Sequence, residues 1–434
     1  KGYVLTAEEI YLDMKICKDY NMNAVRTSHY PPDPVLLEIA DQIGLYVIDE
    51  ADIETHGVFP RGKISNNLKW KNHYWDRVKR MYMRDKNSPS VIMWSLGNEA
   101  GGIKCQDYCY AELKKLTLIP IYYERAIAYK QGGYDVVGGM YLSPILISKL
   151  AENKLVNHYE AKKYKYKDKP YFLCEFVHAM GTGPGSIQEY MDAFYKYDAL
   201  VGGCVWEMID HAVYNENAKY KYTYGGDHGE YTHDGNFCVD GLFFPDRTPH
   251  TSALAIKNAF RPLTAEFIKP GIVKFTNHNR FKNTSYLKIK GVMLIEGEPS
   301  FEVEFPSDIE PMSSKEYNIN IDIHSGDIVL HIDYFDKDKI VATEELRINE
   351  TLSQIQLSNG KDIVVTEKDT FILINFDNGE LIFNKTLGCI SSYKVGDINY
   401  LVDKPLKQNQ KGNFYTNIYR APIDNDMYVK KKWM

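Results

Sequence analysis

Two kinds of hydrophobic patterning divide the chain near residue 262. Before that point, short apolar runs of strand length alternate with amphipathic stretches of helical period, such as Glu8 to Tyr20 and Ile187 to Tyr197. After it, the helical period is lost, and short alternating runs are separated by Asn, Gly, Asp and Pro. Alternating strands and helices predict a parallel sheet, whereas closely spaced alternating runs predict antiparallel β structure.

The first part contains seven apolar runs that we interpret as parallel strands, one short of a closed (β/α)8 (TIM) barrel. Residues 1–6 indicate instead a loop leading into a helix at Thr6, with Glu8 and Glu9 in its first turn. We therefore expect residues 1–262 to form a TIM barrel that lacks its first strand, with the chain beginning inside the barrel. The runs span residues 23–29, 44–50, 91–99, 119–124, 134–141, 170–178 and 201–207.

The second part predicts two all-β domains, so the whole chain is multidomain α/β plus all-β. Residues 263–352 carry short alternating runs and are expected to form an immunoglobulin-like β-sandwich. A further β segment, residues 362–434, is expected to be the N-terminal part of a larger β-sandwich domain. The runs span residues 272–277, 286–294, 301–305, 316–323 and 327–334 in the first domain, and 370–376 and 379–383 in the second.

Composition excludes several classes of partner. The net charge of −6 and the absence of long Lys/Arg blocks argue against nucleic acid. No apolar run approaches the ~18 residues of a membrane-spanning helix. The seven cysteines include no Cys-x-x-Cys pair, which favours reduced thiols over a disulfide framework. A cytoplasmic or a periplasmic location both remain open.

Two glutamates stand at the C-terminal ends of strand-like runs. Glu99 follows the apolar run from Val91 to Leu96, and Glu175 lies in the run from Pro170 to His178. Catalytic groups of a TIM barrel gather at the C-terminal ends of its strands. A single Glu there is often an ordinary surface or ion-paired residue, but two carboxylates facing each other across the mouth are the minimal apparatus for cleaving a glycosidic bond.

Eight motifs along the chain match those of one enzyme family. They span residues 23–31, 50–57, 95–99, 174–181, 225–227, 237–242, 246–250 and 419–426. On these motifs the chain resembles the family-two glycoside hydrolases, and among them the large multidomain β-galactosidases. The Gly97-Asn98-Glu99 piece is shared widely among barrel glycosidases. The blocks at 54–57 and 420–426 resemble the β-galactosidase branch specifically.

The resemblance implies a retaining double displacement on terminal β-D-galactosyl residues of lactose-like β-galactosides. Glu175 would be the nucleophile, and Glu99 would act first as acid and then as base, with the two carboxyl groups roughly 5–5.5 Å apart. Asn98 would hydrogen-bond the sugar 2-hydroxyl. Tyr141 would hold the nucleophile through its phenol, although a Tyr at a strand end is also compatible with a core-edge role.

Two cation sites are also implied by the resemblance. Glu54 and His56 share one face of an extended segment, and with Glu99 they resemble the magnesium site of the family. Magnesium prefers oxygen ligands and would tune the ionisation and orientation of Glu99. Without the resemblance, His56 would be an ordinary loop histidine. The Phe237 carbonyl and Asp240 correspond to a sodium site, at which family members commonly carry Asn in place of Asp240.

Sugar contacts follow from the same motifs. Trp206 would provide an apolar platform for the galactosyl ring, and His178 would reach its 6-hydroxyl. Arg26 and His29 would line the pocket floor, and Asp240 would lie beside the sugar. Trp and Arg at strand ends are often purely structural.

Other functions remain open on the sequence alone. A β-glucuronidase of the same family would place basic groups for a uronic carboxylate, and a catalytically impaired carbohydrate-binding relative would normally lack one glutamate. A purely structural β-protein would need none of the barrel motifs. We expect the 434-residue chain alone to be inactive, and the full-length protein to form a homo-oligomer.

Overall fold

The structure is a computed structural model that describes residues 4–124, 133–152, 154, 169–269, 271–319, 326–349, 363–401 and 414–415. The chain forms two units, Lys1–Glu350 and Thr351–Met434. In the described residues no helix is both long enough and apolar enough to cross a membrane.

Within the described part of the first unit, seven parallel strands follow one another in chain order, as the seven apolar runs predict. The first four pair in sequence, the last three pair in sequence, and a parallel bridge between Tyr122 and Val136 joins the two sets. Their C-terminal ends therefore meet at one mouth. The strands are β1 (Ala24–Arg26), β2 (Tyr46–Glu50), β3 (Val91–Ser95), β4 (Ile121–Tyr122), β5 (Val137–Met140), β6 (Tyr171–Phe176) and β7 (Leu200–Val205).

Helices alternate with most of the barrel strands, beginning with a helix before β1, and their apolar residues share one core with the strands. The first begins where the sequence predicts, because Thr6 and Glu9 form a capping box: the Glu9 amide donates to the Thr6 hydroxyl (3.2 Å), and the Thr6 amide donates to the Glu9 carboxylate (2.9 Å). The helices are α1 (Ala7–Asp19), α2 (Pro34–Ile43), α3 (Lys71–Asp85), α4 (Lys104–Leu113), α5 (Pro144–Ala151), α6 (Ile187–Lys196) and α7 (Thr251–Ala259), with a 3-10 turn at Leu68–Trp70.

The barrel interior is packed with side chains below its mouth. Ile48, Met93, Tyr122, Phe172 and Cys174 form one buried cluster, in which the Tyr122 and Phe172 rings meet edge to face at 5.4 Å. All six residues of β6 are buried. The polar groups at the strand ends therefore lie directly above a packed apolar core. Between β7 and α7 a short hairpin, β8 (Val213–Tyr214) and β9 (Tyr222–Thr223), interrupts the connection.

The residues after the barrel build a second hydrophobic core from two antiparallel sheets. One sheet has the order β10-β11-β14 and the other β13-β12-β15-β16. Their inward residues, among them Phe275, Ile289 and Leu330, form one buried cluster. The strands are β10 (Leu263–Lys269), β11 (Ile272–Asn277), β12 (Leu287–Ile295), β13 (Glu298–Phe305), β14 (Ser314–Asn318), β15 (Ile328–Asp336) and β16 (Lys339–Asn349), with a 3-10 turn at Thr284–Tyr286.

Five of these strands overlap the predicted alternating runs, and β10 and β16 are not predicted. The overlap of β14 with the run at 316–323 ends at Asn318, and residues 320–323 of that run lie outside the described residues. Strand β16 lies at the edge of its sheet and buries only Ala342, so its charged residues obscure the period of two. Strand β10 buries only Leu263 and Ala265, at its start. Because so few of their residues are buried, neither strand shows a clear alternation of apolar and polar residues in the sequence.

The second unit is described only in part. Residues 363–401 and 414–415 form one antiparallel sheet with the order β17-β18-β19-β20-β21, and β22 pairs with β20. The two predicted runs correspond to β18 and β19. The motif at 419–426 lies outside the described residues. The strands are β17 (Val364–Glu367), β18 (Phe371–Phe376), β19 (Gly379–Asn384), β20 (Cys389–Val395), β21 (Ile398–Asn399) and β22 (Phe414–Tyr415).

An ion pair joins the barrel to the sheets that follow it. Arg261, just after α7, donates to the Glu344 carboxylate at 2.6 Å, and both side chains are about nine-tenths buried, with relative exposures of 12% and 10%. The same carboxylate also accepts from the Ala265 amide (2.9 Å) and the Tyr334 hydroxyl (2.8 Å). Glu344 therefore satisfies three donors from separate segments.

We expect Glu344→Ala to destabilise the protein by about 3–5 kcal/mol, because it leaves the buried Arg261 charge without a partner. The matched control is Glu266→Ala, which removes the 64%-exposed partner of Lys274. That change should cost about 1 kcal/mol or less. Urea unfolding midpoints of the two variants measure the difference, and equal midpoints would contradict the role given to Glu344.

Candidate active site

Glu175 occupies the C-terminal end of β6 with both carboxylate oxygens held. The Tyr141 hydroxyl donates to Oε2 at 2.9 Å, and Arg26 Nη1 donates to Oε1 at 3.1 Å. Only 6% of the residue is exposed. Desolvation and the adjacent Glu175 charge raise the pKa of Tyr141, so its phenol remains a hydrogen-bond donor. The carboxylate is therefore fixed in orientation.

Arg26 lies under the mouth in contact with two carboxylates. Its guanidinium binds Glu50 in a bidentate pair, from Nε at 2.8 Å and from Nη2 at 3.0 Å, and Nη2 also donates to Asn98 Oδ1 at 2.9 Å. Glu50 is fully buried and also accepts from Ser95 Oγ at 2.6 Å. Burial acts to raise the pKa of Glu50, but Arg26 and His29 outweigh it and hold that pKa below its usual value.

Glu99, just beyond β3, forms a second group with Glu54 and His56. A short hydrogen bond joins His56 Nδ1 to Glu99 Oε2, and Arg61 donates to His56 Nε2 at 2.8 Å. One ligand atom from each of Glu54, His56 and Glu99 lies within 4.8 Å of the others. Burial raises the pKa of Glu54, and the Glu99 charge adds to this shift although His29 and Asn98 oppose it. Such a donor set fits a divalent cation.

A third group continues the site from Tyr141 to the end of β7. The His178 ring lies 6.0 Å from the Tyr141 ring, and its Nε2 is 3.1 Å from Asp240 Oδ2. Burial raises the pKa of Glu207 to about 7; a hydrogen bond with His211 opposes the shift, and the neighbouring Asp240 adds to it. Asp240 Oδ1 is buried without a hydrogen-bond donor among the described residues. A proton shared with Glu207 or a bound cation would satisfy it.

Aromatic side chains border these polar groups. Trp206 follows β7 and stacks on His29, with ring centroids 5.1 Å apart and an interplanar angle of 18°. Phe237 lies 6.3 Å from the His178 ring and is 52% exposed. Flat apolar faces beside hydrogen-bonding groups are suited to a sugar ring, which has both C–H faces and hydroxyl edges.

All the site residues expected from the sequence lie in this connected set, and it contains others that were not expected. The unexpected members are Glu50, Arg61, Ser95, Glu207 and His211. Glu50 and Glu207 carry the same signal that identified Glu99 and Glu175, a carboxylate at the C-terminal end of a barrel strand. Glu124, at the end of the run at 119–124, carries it too, so this signal marks five glutamates, of which only Glu99 and Glu175 are predicted to be catalytic.

The site defines the class of protein. A parallel barrel carries at its mouth a buried glutamate with two donors, a second glutamate beside a histidine, and aromatic walls. These are the parts of a barrel glycosidase. The model of the family "Glycosyl hydrolases family 2, TIM barrel domain" matches residues 1–265. The chain belongs to glycosyl hydrolase family 2.

Curated relatives share the similarity over the whole chain. The β-galactosidase of Photobacterium profundum is 31% identical over 466 aligned positions, which cover 99% of this chain and 43% of the relative. The β-galactosidase of Staphylococcus xylosus is 33% identical over 467 positions, covering 100% of this chain and 45% of the relative. The chain therefore spans less than half the length of these relatives.

Solved structures show weaker similarity. The β-D-glucuronidase of Dictyoglomus thermophilum aligns with a TM-score of 0.43 and 23% identity, covering 58% of this chain and 46% of that one. The β-glucuronidase of Bacteroides uniformis aligns with a TM-score of 0.42 and 16% identity, covering 80% and 44%.

Proposed function

We propose that the protein containing this chain is a retaining β-galactosidase that removes terminal β-D-galactosyl residues from lactose-like β-galactosides. The observation that carries the proposal is the arrangement around Glu175. Its carboxylate is oriented by Tyr141 and Arg26 on the same barrel mouth that carries Glu99. The curated relatives named as β-galactosidases support the choice of sugar.

In the proposed mechanism Glu99 protonates the glycosidic oxygen while the Glu175 carboxylate attacks the anomeric carbon. The aglycone leaves as an alcohol, and a covalent galactosyl ester forms on Glu175. Glu99, now a carboxylate, takes a proton from water, which attacks the ester and releases galactose with its configuration retained. Asn98 would bind the 2-hydroxyl, where hydrogen bonds strengthen in the transition state. Trp206 and His178 would hold the ring and its 6-hydroxyl.

A β-glucuronidase is the nearest alternative, and the third group of residues disfavours it. His178 contacts Asp240, and Asp240 lies next to Glu207. Even if they share one proton, the Asp240 and Glu207 carboxyl groups keep a negative charge beside the expected 6-position, and that charge would repel a uronic carboxylate rather than bind it. An impaired carbohydrate-binding relative is disfavoured because both glutamates are present at the mouth.

We further propose that residues 1–262, 263–352 and 362–434 are separate domains, the second of immunoglobulin type. The separate hydrophobic core after Leu263 and the unit beginning at Thr351 support this division. The Arg261–Glu344 ion pair and the hydrogen bonds of α7 with β16 join the first two of these domains. Assembly of the full-length protein into a homo-oligomer is part of the same proposal.

The two glutamates should respond differently to substitution in the full-length protein. Glu175→Gln should abolish turnover and form no covalent adduct. Glu99→Gln should lower hydrolysis of unactivated galactosides by about 10²–10⁴-fold, the usual contribution of a general acid–base group. It should still react with an aryl galactoside that has a good leaving group, and azide should rescue it by forming β-galactosyl azide.

Steady-state kinetics and product NMR on nitrophenyl galactosides measure these outcomes. Glu189→Gln, an exposed change on α6, is the matched control and should behave as wild type. Azide rescue of Glu175→Gln to the β-azide would reverse the two assignments. Faster hydrolysis of a nitrophenyl glucuronide than of the galactoside would contradict the substrate.

We also propose that Glu54, His56 and Glu99 bind Mg²⁺, and that Asp240 with the Phe237 carbonyl binds Na⁺. The clustering of the three ligand atoms supports the first site, and the buried Oδ1 of Asp240 supports the second. When bound, Mg²⁺ would supply positive charge that biases the ionisation and orientation of Glu99.

Calorimetric titration with Mg²⁺ should detect binding to the wild type and a large loss of affinity in Glu54→Gln. Chelation should lower turnover of the wild type, whereas the variant should already be slow and respond little to added Mg²⁺. Asp52→Asn is the control, because that exposed carboxylate pairs with Arg77 and lies outside the cluster. Equal Mg²⁺ binding by the wild type and Glu54→Gln would disprove the site.

A further inference from the structure

Arg26 divides its hydrogen bonds unequally between two carboxylates. Glu50 receives two of them, at 2.8 and 3.0 Å, whereas Glu175 receives one, at 3.1 Å. Bidentate guanidinium–carboxylate pairs are the stronger arrangement. The Arg26 charge is therefore matched mainly by Glu50, although it also touches Glu175.

Hydrogen bonds fix the Glu50 carboxylate in the position where it pairs with Arg26. It sits at the end of β2, between β1, which carries Arg26, and β3, which carries Ser95. Ser95 Oγ donates to one oxygen at 2.6 Å, and His29 Nδ1 lies 2.8 Å from the other. With Arg26, these groups occupy both oxygens of a side chain that is fully buried.

The charges of Arg26 and Glu50 determine how nucleophilic the Glu175 carboxylate is. Arg26 contributes one positive charge and the two carboxylates contribute two negative charges, which leaves a net charge of −1. If Glu50 were neutral, Glu175 would be the remaining counter-charge for a guanidinium with 2% exposure. An opposite charge at this range stabilises a carboxylate strongly, and a stabilised carboxylate is a poorer nucleophile.

We propose that Glu50 is a positioning residue of the reaction: it neutralises and anchors Arg26, and so leaves Glu175 oriented but available for attack. This inference rests on the proposed function. Other titratable groups also face the pair. They are His29 from the β1–α2 loop, Glu54 from the β2–α3 loop, Tyr122 on β4, Tyr141 after β5, Cys174 on β6 and Cys204 on β7.

The test is Glu50→Gln in the full-length protein, because Gln keeps the size and removes the charge. We expect kcat/KM to fall by about 10²-fold, mostly through kcat. The acidic limb of its pH profile should move down by about one pH unit, since Arg26 then stabilises the Glu175 carboxylate alone. Glu50→Asp should show a smaller loss and a smaller shift in the same direction, because its charge is retained but farther from Arg26.

Ser95→Ala is the matched control. It removes one hydrogen bond from the same carboxylate without changing any charge, so its acidic limb should stay in place even if activity falls. A folded Glu50→Gln or Glu50→Asp with an unmoved acidic limb would overturn the proposal and leave Glu50 a structural residue.

A readout independent of activity separates this inference from the proposed function. In a crystal structure of Glu50→Gln, Arg26 should turn toward Glu175 and bind both of its oxygens. An Arg26 that keeps its wild-type contacts would count against the proposal whatever the activity. A wild type that fails to cleave any galactoside would instead refute the proposed function.

Discussion

A single buried guanidinium organises the mouth of this barrel. Arg26 must be paired, because an isolated charge with 2% exposure would cost several kcal/mol. Its partners come from β2, the loop after β3, and β6, so satisfying this one group fixes strand ends from both sides of the barrel. The orientation of Asn98 and Glu175 follows directly from that requirement. The side chains proposed to bind and attack the sugar are thus oriented by contacts that a buried charge requires.

The chemistry is built on a layered arrangement. Apolar side chains such as Phe172 and Met93 fill the barrel below, and hydrogen-bonded polar groups occupy the strand ends above. The two glutamates lie in different surroundings within this layer: Glu175 between a phenol and a guanidinium, and Glu99 beside His56 and Glu54. Two carboxyl groups in distinct environments are what an acid–base group and a nucleophile require.

Sequence reasoning located the barrel because seven apolar runs carry a clear strand pattern, and it located Glu99 and Glu175 because each ends such a run. Glu50 ends such a run as well, but its importance comes from its pairing with Arg26 on a neighbouring strand, and only the structure shows that pairing. Strands β10 and β16 were missed for a related reason: their burial is slight, and their place is set by the sheets they join. Apolar runs and the residues that end them could be predicted from the sequence, whereas contacts between residues distant in the chain could not.

The central claim is that Glu175 forms the covalent bond to the sugar. Incubating the full-length protein with a 2-deoxy-2-fluoro-β-galactosyl fluoride should trap that intermediate. The fluorine at C2 slows both its formation and its hydrolysis, whereas the good leaving group keeps formation faster than hydrolysis. Peptide mapping by mass spectrometry should then place the fluorosugar on Glu175. A label on Glu99, Glu50 or any other residue would contradict the account.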